Sequence, residues 1–435
     1  MLDFRSQGFK RYFFNTAWIA AENVIRMAVI LIVAVAVARY LEPERYGLLS
    51  YAVSFAAIFS VFASLGLDTI VIRNLVQDPA GRDRLIGTAF CLKIIGAGLV
   101  LIMVFGALQL TSNDRFTKIL VLIIAAGSVF QSFGVIDCYF KSQVLARFIT
   151  LSRLCSLLIT SAVKFLLIIL KAPLIWFACV TLLETILIAL FYVIVYHLQG
   201  LKISPWRFDR QTAFKLLKDS WPLILSSLAI MVYMRIDQIM IKSMLNNEAV
   251  GNYAVAVRLS EAWYFIPTAI SSSLLPALQK AKQISQEVYL HRFQVFFNLM
   301  TWMAIAIALP TTLFSGYIIN ILLGPQYSTA GGVLAINIWA GIFVFLGVAS
   351  SNFLLVENLT KTDFMRTFIG CIVNVGLNFW WIPKFGINGA AWATLLSYAV
   401  AIFSLIFDSR TKHCFIMMVK SFIPTKGVWL QNDIN

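Results

Sequence analysis

Apolar runs of membrane-spanning length recur along the whole chain, separated by short polar punctuation. A helical pass needs about 20 consecutive apolar residues. Twelve such runs are predicted, at 15–38, 46–67, 88–110, 117–137, 150–170, 174–196, 217–242, 250–276, 293–314, 333–355, 364–382 and 388–407. The breaks carry turn residues and charges: Glu42-Pro43-Glu44, Asp78-Pro79, Thr111 to Asp114, Lys171 to Pro173, Asn246-Asn247, Gly324-Pro325 and Pro383 to Gly386. The expected fold is an all-α polytopic membrane protein of about 12 transmembrane helices.

The stretch from Asp237 to Glu261 departs most from this pattern. It closes one apolar run, turns and opens the next, yet holds Asp237, Lys242, Arg258 and Glu261. It also has an echo. LEPERYGLLSYAV (Leu41 to Val53) aligns with LNNEAVGNYAVAV (Leu245 to Val257) at an offset of 204, matching at Leu41/Leu245, Glu44/Glu248, Gly47/Gly251, Ala52/Ala256 and Val53/Val257. KAPLIWFACVTLL (Lys171 to Leu183) aligns with KFGINGAAWATLL (Lys384 to Leu396) at 213. Two near-equal offsets indicate a duplication. Six spans per half give both halves the same orientation, hence two parallel six-helix lobes. The expected organisation is an N-terminal lobe at 1–200, a basic cytoplasmic linker at 201–215, a C-terminal lobe at 216–407 and a cytoplasmic tail at 408–435. Within the echo, Gly251 is expected to be a turn glycine of the frame, shared with Gly47.

Composition agrees with this reading. The chain is 60% hydrophobic and 13% charged, with mean hydropathy +0.84, against about 25% charged residues in soluble domains. The net charge of +15 would suggest nucleic acid on a soluble protein. Here the basic residues alternate between loops. Of 35 Lys and Arg, 22 lie in the termini and every second loop and seven in the opposite loops, which places both termini in the cytoplasm and leaves no nucleic-acid partner to invoke. No cleavage site follows the first apolar run, so it is expected to stay as a span. The six cysteines are scattered through apolar runs, and the three histidines lack ligand spacing, so neither a disulfide framework nor a metal site is expected.

A charge at mid-span is costly, by about 2.5–3.5 kcal/mol on insertion scales, and should face a bundle interior or a wet cavity. Four cations stand out: Arg26, Lys164, Arg235 and Arg258. Four carboxylates accompany them: Glu22, Glu184, Asp237 and Glu261. Ser156 and Thr160 share a face with Lys164, and Asn374 and Asn378 share one in the eleventh span. Each residue also has a plainer role. Glu22–Arg26 and Arg258–Glu261 have the spacing of charge-cancelling intrahelical pairs, and the asparagines that of interhelical glue. Asp237 suits a helix anchor, and Lys93 and Arg153, near cytoplasmic ends, suit snorkelling. Taken as a set, deep cations on both halves suit an anionic ligand, with phosphate or diphosphate the natural match to guanidinium forks.

The motifs LEPERYG (Leu41 to Gly47), the Asp237–Glu261 pattern D-x-x-M-I…E-x-V-G-x-Y-x-x-A-x-R-L-x-E and PKFGINGAAWATL (Pro383 to Leu395) resemble the Wzx-type polysaccharide flippases of the multidrug/oligosaccharidyl-lipid/polysaccharide exporter superfamily. The resemblance implies two lobes around a central cavity that alternates between inward- and outward-facing states in the bacterial inner membrane. It implies a lipid-linked substrate, an oligosaccharide on undecaprenyl diphosphate such as an O-antigen repeat unit. It also implies no cofactor, coupling to a proton or sodium gradient, and a polysaccharide polymerase and chain-length regulator as partners alongside membrane lipid. On this reading Arg26, Lys164, Arg235 and Arg258 meet the anionic head, Glu22, Glu184, Asp237 or Glu261 bind the coupling ion, and Ser156, Thr160, Asn374 and Asn378 hold sugar hydroxyls. The alternatives are a drug/cation antiporter of the same superfamily, which favours an acidic cavity, and a membrane polymerase or ligase enzyme, which needs a large outer loop with catalytic groups. The outer loops here are short, so no enzyme is expected.

Overall fold

The structure, a computed structural model, describes the backbone of residues 7–423 and the side chains of residues 25–423 apart from Ala146. The described chain is helical, with no strand: α1 (Gln7–Ser64), α2 (Leu67–Gln77), α3 (Arg82–Gln109), α4 (Arg115–Gln131), α5 (Val135–Ser142), α6 (Ala146–Ile169), α7 (Leu174–Leu198), α8 (Arg210–Met244), α9 (Asn247–Glu261), α10 (Phe265–Ile284), α11 (Gln286–Leu313), α12 (Ser315–Leu323), α13 (Ala330–Asn337), α14 (Ala340–Val356), α15 (Thr360–Phe403) and α16 (Lys412–Lys420).

Among the described residues, nine helical stretches are long and apolar enough to cross a membrane. Two are too long for one pass. The 53 residues of Ile25–Gln77 would rise about 80 Å as a straight helix, against roughly 30 Å of hydrocarbon. The chain breaks where the sequence punctuates it, at Glu42 (φ 62°) before Pro43 in α1 and at Gly386 (φ 59°) after Pro383 in α15. A Cβ added to Gly389 would sit 2.3 Å from the carbonyl oxygen of Trp381, although residues eight apart in a straight helix are separated by about 12 Å. The chain therefore doubles back at Gly386, a positive-φ position that glycine fills without strain. A further pass is split between α9 and α10 by the turn at Ala262–Tyr264. Nine stretches, two of them double, plus this split pass recover the twelve spans expected.

Two compact units divide the chain at Gly251/Asn252, whereas the sequence places the join in the basic loop. In unit 1, α1 packs on α3, α4, α6 and α8, α7 packs on α4 and α6, and α8 packs on α2 and α3. The basic segment before α8 is not a loose tether. Trp206 packs between Phe90, tilted at 59°, and Tyr196, edge-on at 70°, and donates Nε1–H to the Tyr196 hydroxyl at 3.3 Å, and the Arg207 amide donates to Asp83 O at 3.3 Å. Arg210 to Lys215 are already helical, opened by Asp209, whose carboxylate accepts from the Thr212 amide at 2.7 Å. In unit 2, α11 packs on α10, α14 and α16, and α15 packs on α13 and α14. Its core is an aromatic and aliphatic cluster including Tyr289, Phe293, Phe297, Phe345 and Phe353. Outward positions such as Ile102, Ile169, Leu313 and Phe379 are exposed, as lipid-facing helices require.

The echo at offset 204 has a physical counterpart inside unit 1. A Cβ on Gly47 would fall 1.8 Å from Asn247 O, and one on Gly251 would fall 2.0 Å from Pro43 O. Asn247 is the repeat mate of Pro43, and Gly251 is the mate of Gly47. The duplicated segments thus meet each other reciprocally, as in an isologous contact about a two-fold axis. Gly47 and Gly251 are helical residues at a backbone crossing and not the turn glycines expected. The turns lie just before them, at Glu42 and at Leu245-Asn246.

Candidate functional site

In unit 1 the packing of α6 on α7 joins two predicted site residues. Lys164 Nζ lies 3.5 Å from Glu184 Oε2, with the two side chains 20% and 31% exposed. Ser156, two turns earlier on α6, donates its hydroxyl to the carbonyl oxygen of Glu184 at 3.1 Å. Thr160 returns its hydroxyl to Ser156 O at 2.9 Å. A predicted cation and a predicted ion-coupling carboxylate therefore form one interhelical pair in the membrane-spanning part of this unit.

The other candidates in unit 1 are distributed along α1 and α8. Arg26 on α1 and Arg235 on α8 are half-buried. Asp237 is only 4% exposed, next to Gln238, whose Oε1 accepts from Ser54 Oγ at 2.8 Å and ties α8 to α1. Glu22 lies outside the described side chains. Lys242, near the end of α8, sits 4.0 Å above the Tyr51 ring, a cation–π contact, with Thr117 Oγ1 at 3.4 Å. Asp114 caps α4 from the adjoining loop, accepting from the Phe116 and Thr117 amides. The hydrogen bond from the Thr117 hydroxyl holds the Asp114 carboxyl below the usual carboxylate range.

In unit 2, Arg258 is exposed and Glu261 half-buried. Asn374 and Asn378 have no exposed surface. Asn378 Nδ2 donates to Asn374 Oδ1 at 3.1 Å, and Asn374 Nδ2 donates to Ser397 Oγ at 3.4 Å, tying together the two passes of α15. Ser156 and Thr160 are equally buried. These four present no surface to a ligand in this state; they hold helices together through the polar contacts that membrane helices use.

Sequence reasoning missed three ionic arrangements, each built on one buried charge. Lys93 does not snorkel: it is 3% exposed and pairs with Asp68 on α2, which also accepts from the Cys138 thiol at 3.5 Å. Asp137, 9% exposed, takes Lys141 at 2.8 Å and Arg153 at 3.0 Å on one oxygen, while Arg153 Nε donates to the Tyr192 hydroxyl at 2.9 Å. Arg366, 6% exposed, donates to Asp363 (2.8 Å), the Ser350 and Ser351 hydroxyls (2.7 Å each) and Gly347 O (3.1 Å). The available signal was a charge a few residues inside a span end, which equally fits a snorkelling side chain. No cluster of His, Cys, Asp or Glu suited to a metal occurs among the described residues.

The fold is that of transporters in the superfamily named from the sequence motifs. An inward-facing multidrug resistance MATE family transporter of the MOP superfamily superposes with a TM-score of 0.73 at 14% identity, over 92% of this chain and 96% of that one. The lipid II flippase MurJ, in an inward closed conformation, also gives 0.73 at 16% identity, over 95% and 90%. The chain belongs to the polysaccharide biosynthesis protein family, which matches residues 13–282. A probable flippase, AglR of Haloferax volcanii, is 31% identical over 212 residues. That match spans 47% of this chain and 43% of the relative, under half of either.

Proposed function

We propose that this protein is a flippase. It turns an oligosaccharide carried on undecaprenyl diphosphate, an O-antigen unit or a related repeat, from the cytoplasmic to the periplasmic leaflet of a bacterial inner membrane. It works by alternating access and draws on a proton or sodium gradient; it is a transporter and not an enzyme. Membership in the polysaccharide biosynthesis family, the partial match to a probable flippase and the transporter fold support this reading.

The observation that carries the mechanism is the Lys164–Glu184 pair. The pair is nearly neutral, and so tolerable between membrane helices, while it stays closed. A diphosphate competes with Glu184 for the Lys164 ammonium. Once its counter-ion is engaged, the carboxylate is left uncompensated between membrane helices and open to the coupling ion. Substrate binding and ion binding then become linked through one lysine. Arg26 and Arg235, in the same unit as the pair, supply further positive charge for the diphosphate and any acidic sugars. A polysaccharide polymerase and a chain-length regulator are the partners this route calls for.

Purified protein in proteoliposomes, given a diphosphate-linked oligosaccharide or a cationic dye with and without proton and sodium gradients, tests the reading. Gradient-dependent appearance of the glycolipid in the opposite leaflet is expected. Dye transport without glycolipid flipping would overturn it in favour of a drug antiporter. Arg26→Ala and Arg235→Ala should abolish flipping while the protein still reaches the membrane, and wild-type rates in both would remove the anionic-head model.

A further inference from the structure

The segment after the last span was expected to be a cytoplasmic tail. Its helical part, α16, is packed into unit 2. α16 buries Cys414, Met417 and Met418 in the core of unit 2, against α11. Two polar contacts fix its position along α11. Gln294 Nε2 donates to Met417 O at 3.0 Å, and the hydroxyls of Thr301 and Ser421 share a hydrogen bond of 2.7 Å. Gln294 also donates to Asn298 Oδ1 at 2.8 Å. Gln294, Asn298 and Thr301, spaced i, i+4 and i+7, therefore form a polar stripe in the otherwise apolar run that follows Arg292 on α11.

These contacts give a depth. His291 and Arg292 are the last ionisable residues of α11, and none occurs from Phe293 to Leu313. That run of 21 residues matches one crossing of the hydrocarbon. Thr301 lies nine residues past Arg292, about 13 Å at 1.5 Å per residue. Ser421 is held at that level. α16 thus begins near the charged end of α11 and runs alongside it toward the middle of the span.

We propose that α16 is a re-entrant half-helix whose outer face is covered by lipid acyl chains. That face carries Ile416 and Val419, with His413 and Lys420 toward its two ends, and the turn after the helix adds Phe422 and Ile423, all exposed in this chain. It continues the lipid-facing surface of the spans. A helix that ends inside hydrocarbon must have its last carbonyls satisfied by protein. Gln294 serves Met417 O, and Ser421 Oγ donates to Met418 O at 2.6 Å. The polar stripe on α11 has a reason on this reading: it anchors the end of the half-helix. Lys412 sits at the entry, and the long stem of Lys420 can carry its ammonium back toward the headgroups.

The test has two arms in native membranes. A phospholipid bearing a diazirine on its acyl chain should label Ile416, Val419, Phe422 or Ile423, read residue by residue by mass spectrometry, with the exposed Ile102 and Ile169 of α3 and α6 as internal standards. In the second arm, Val419→Cys should react with a membrane-impermeant maleimide, offered from both sides, at least about tenfold more slowly than Lys202→Cys on the basic loop, because a thiol in hydrocarbon does not ionise. Fast labelling at 419 would put the segment in water and overturn the proposal. Protection from both reagents would mean that a second copy of the chain, or residues 424–435, covers the stripe, and would overturn it equally. Gln294→Leu should raise the maleimide rate at Val419→Cys by releasing the far end.

Discussion

Lys164 and Glu184 each stand out in the sequence because a charge interrupts an apolar run. Their partnership does not, because they lie on different helices and only the packing of α6 on α7 brings them to 3.5 Å. Neutralising one leaves the other uncompensated between membrane helices, whereas neutralising both removes the problem. Lys164→Gln and Glu184→Gln should therefore be non-additive, with a coupling of about 1–3 kcal/mol in a double-mutant cycle on thermal stability in detergent. Additive effects would show that the pair contributes nothing as a pair. Arg366 behaves differently, since its guanidinium already serves Asp363, Ser350, Ser351 and Gly347 O. Arg366→Ala should destabilise by about 2–4 kcal/mol, and Arg366→Lys should recover little of it, because one ammonium cannot span a forked set of acceptors. The sequence could not separate Lys93 and Arg366 from ordinary span-end cations. The acid that makes Lys93 a buried partner is Asp68, 25 residues away, and three of the four acceptors that hold Arg366 (Gly347 O and the Ser350 and Ser351 hydroxyls) lie on the preceding helix, α14.

At the scale of elements, the twelve passes were readable because helical hydropathy is a local signal and the turns at Glu42-Pro43 and Pro383 to Gly386 carry their own punctuation. The re-entry of α16 was not readable, because nine residues of mixed polarity look like a tail until Gln294 and Thr301 are known to face it. The glycines of the duplicated hairpins fall between these cases. Their spacing was visible, but the sequence could not distinguish a turn from a crossing. The crossing has a consequence of unusual sign. Gly→Ala within a helix ordinarily stabilises by roughly 0.5–1 kcal/mol. Gly47→Ala and Gly251→Ala would place a methyl about 2 Å from backbone oxygens, which cannot move as a flexible side chain can. Each should destabilise by about 1–3 kcal/mol, as overpacking does, and by similar amounts, since Asn247 and Pro43 are repeat mates. Gly106→Ala on α3 has nothing within 4 Å and should be neutral or stabilising. Melting temperatures of the three variants in one detergent decide the matter. Stabilisation by Gly47→Ala would mean that the two hairpins do not cross as described.

For the whole molecule, what remains is which way the bundle sits in the membrane, and the distribution of charge argues it. Arg73, Arg82, Arg84, Lys141 and Arg147, then Lys202, Arg207, Arg210, Lys215 and Lys218, and then Lys280, Lys282, Arg292 and Lys361 all fall at the ends of helices that share one side if the twelve passes alternate. The opposite turns hold Arg39, Arg45, Arg115, Lys118, Lys171, Lys242 and Lys384, and the structure occupies some of these locally: Lys242 lies against Tyr51, and Lys384 Nζ is 5.7 Å from the Trp380 ring. Short loops rich in Lys and Arg stay in the cytoplasm, since translocating them is opposed by the insertion machinery and the membrane potential. The side bearing the Trp206 segment should therefore be cytoplasmic. A fluorescent protein inserted at Gly200, an exposed position where an added Cβ would meet nothing within 4 Å, should fold and fluoresce. A periplasm-dependent phosphatase at the same site should be inactive. The same pair of reporters inserted at exposed Gln326, in the turn between α12 and α13, should give the opposite result. The outcome bears on direction as well as topology. If the two results were exchanged, the loop that straps unit 1 would face the periplasm, and a flippase reading would have to run with its basic surface on the product side.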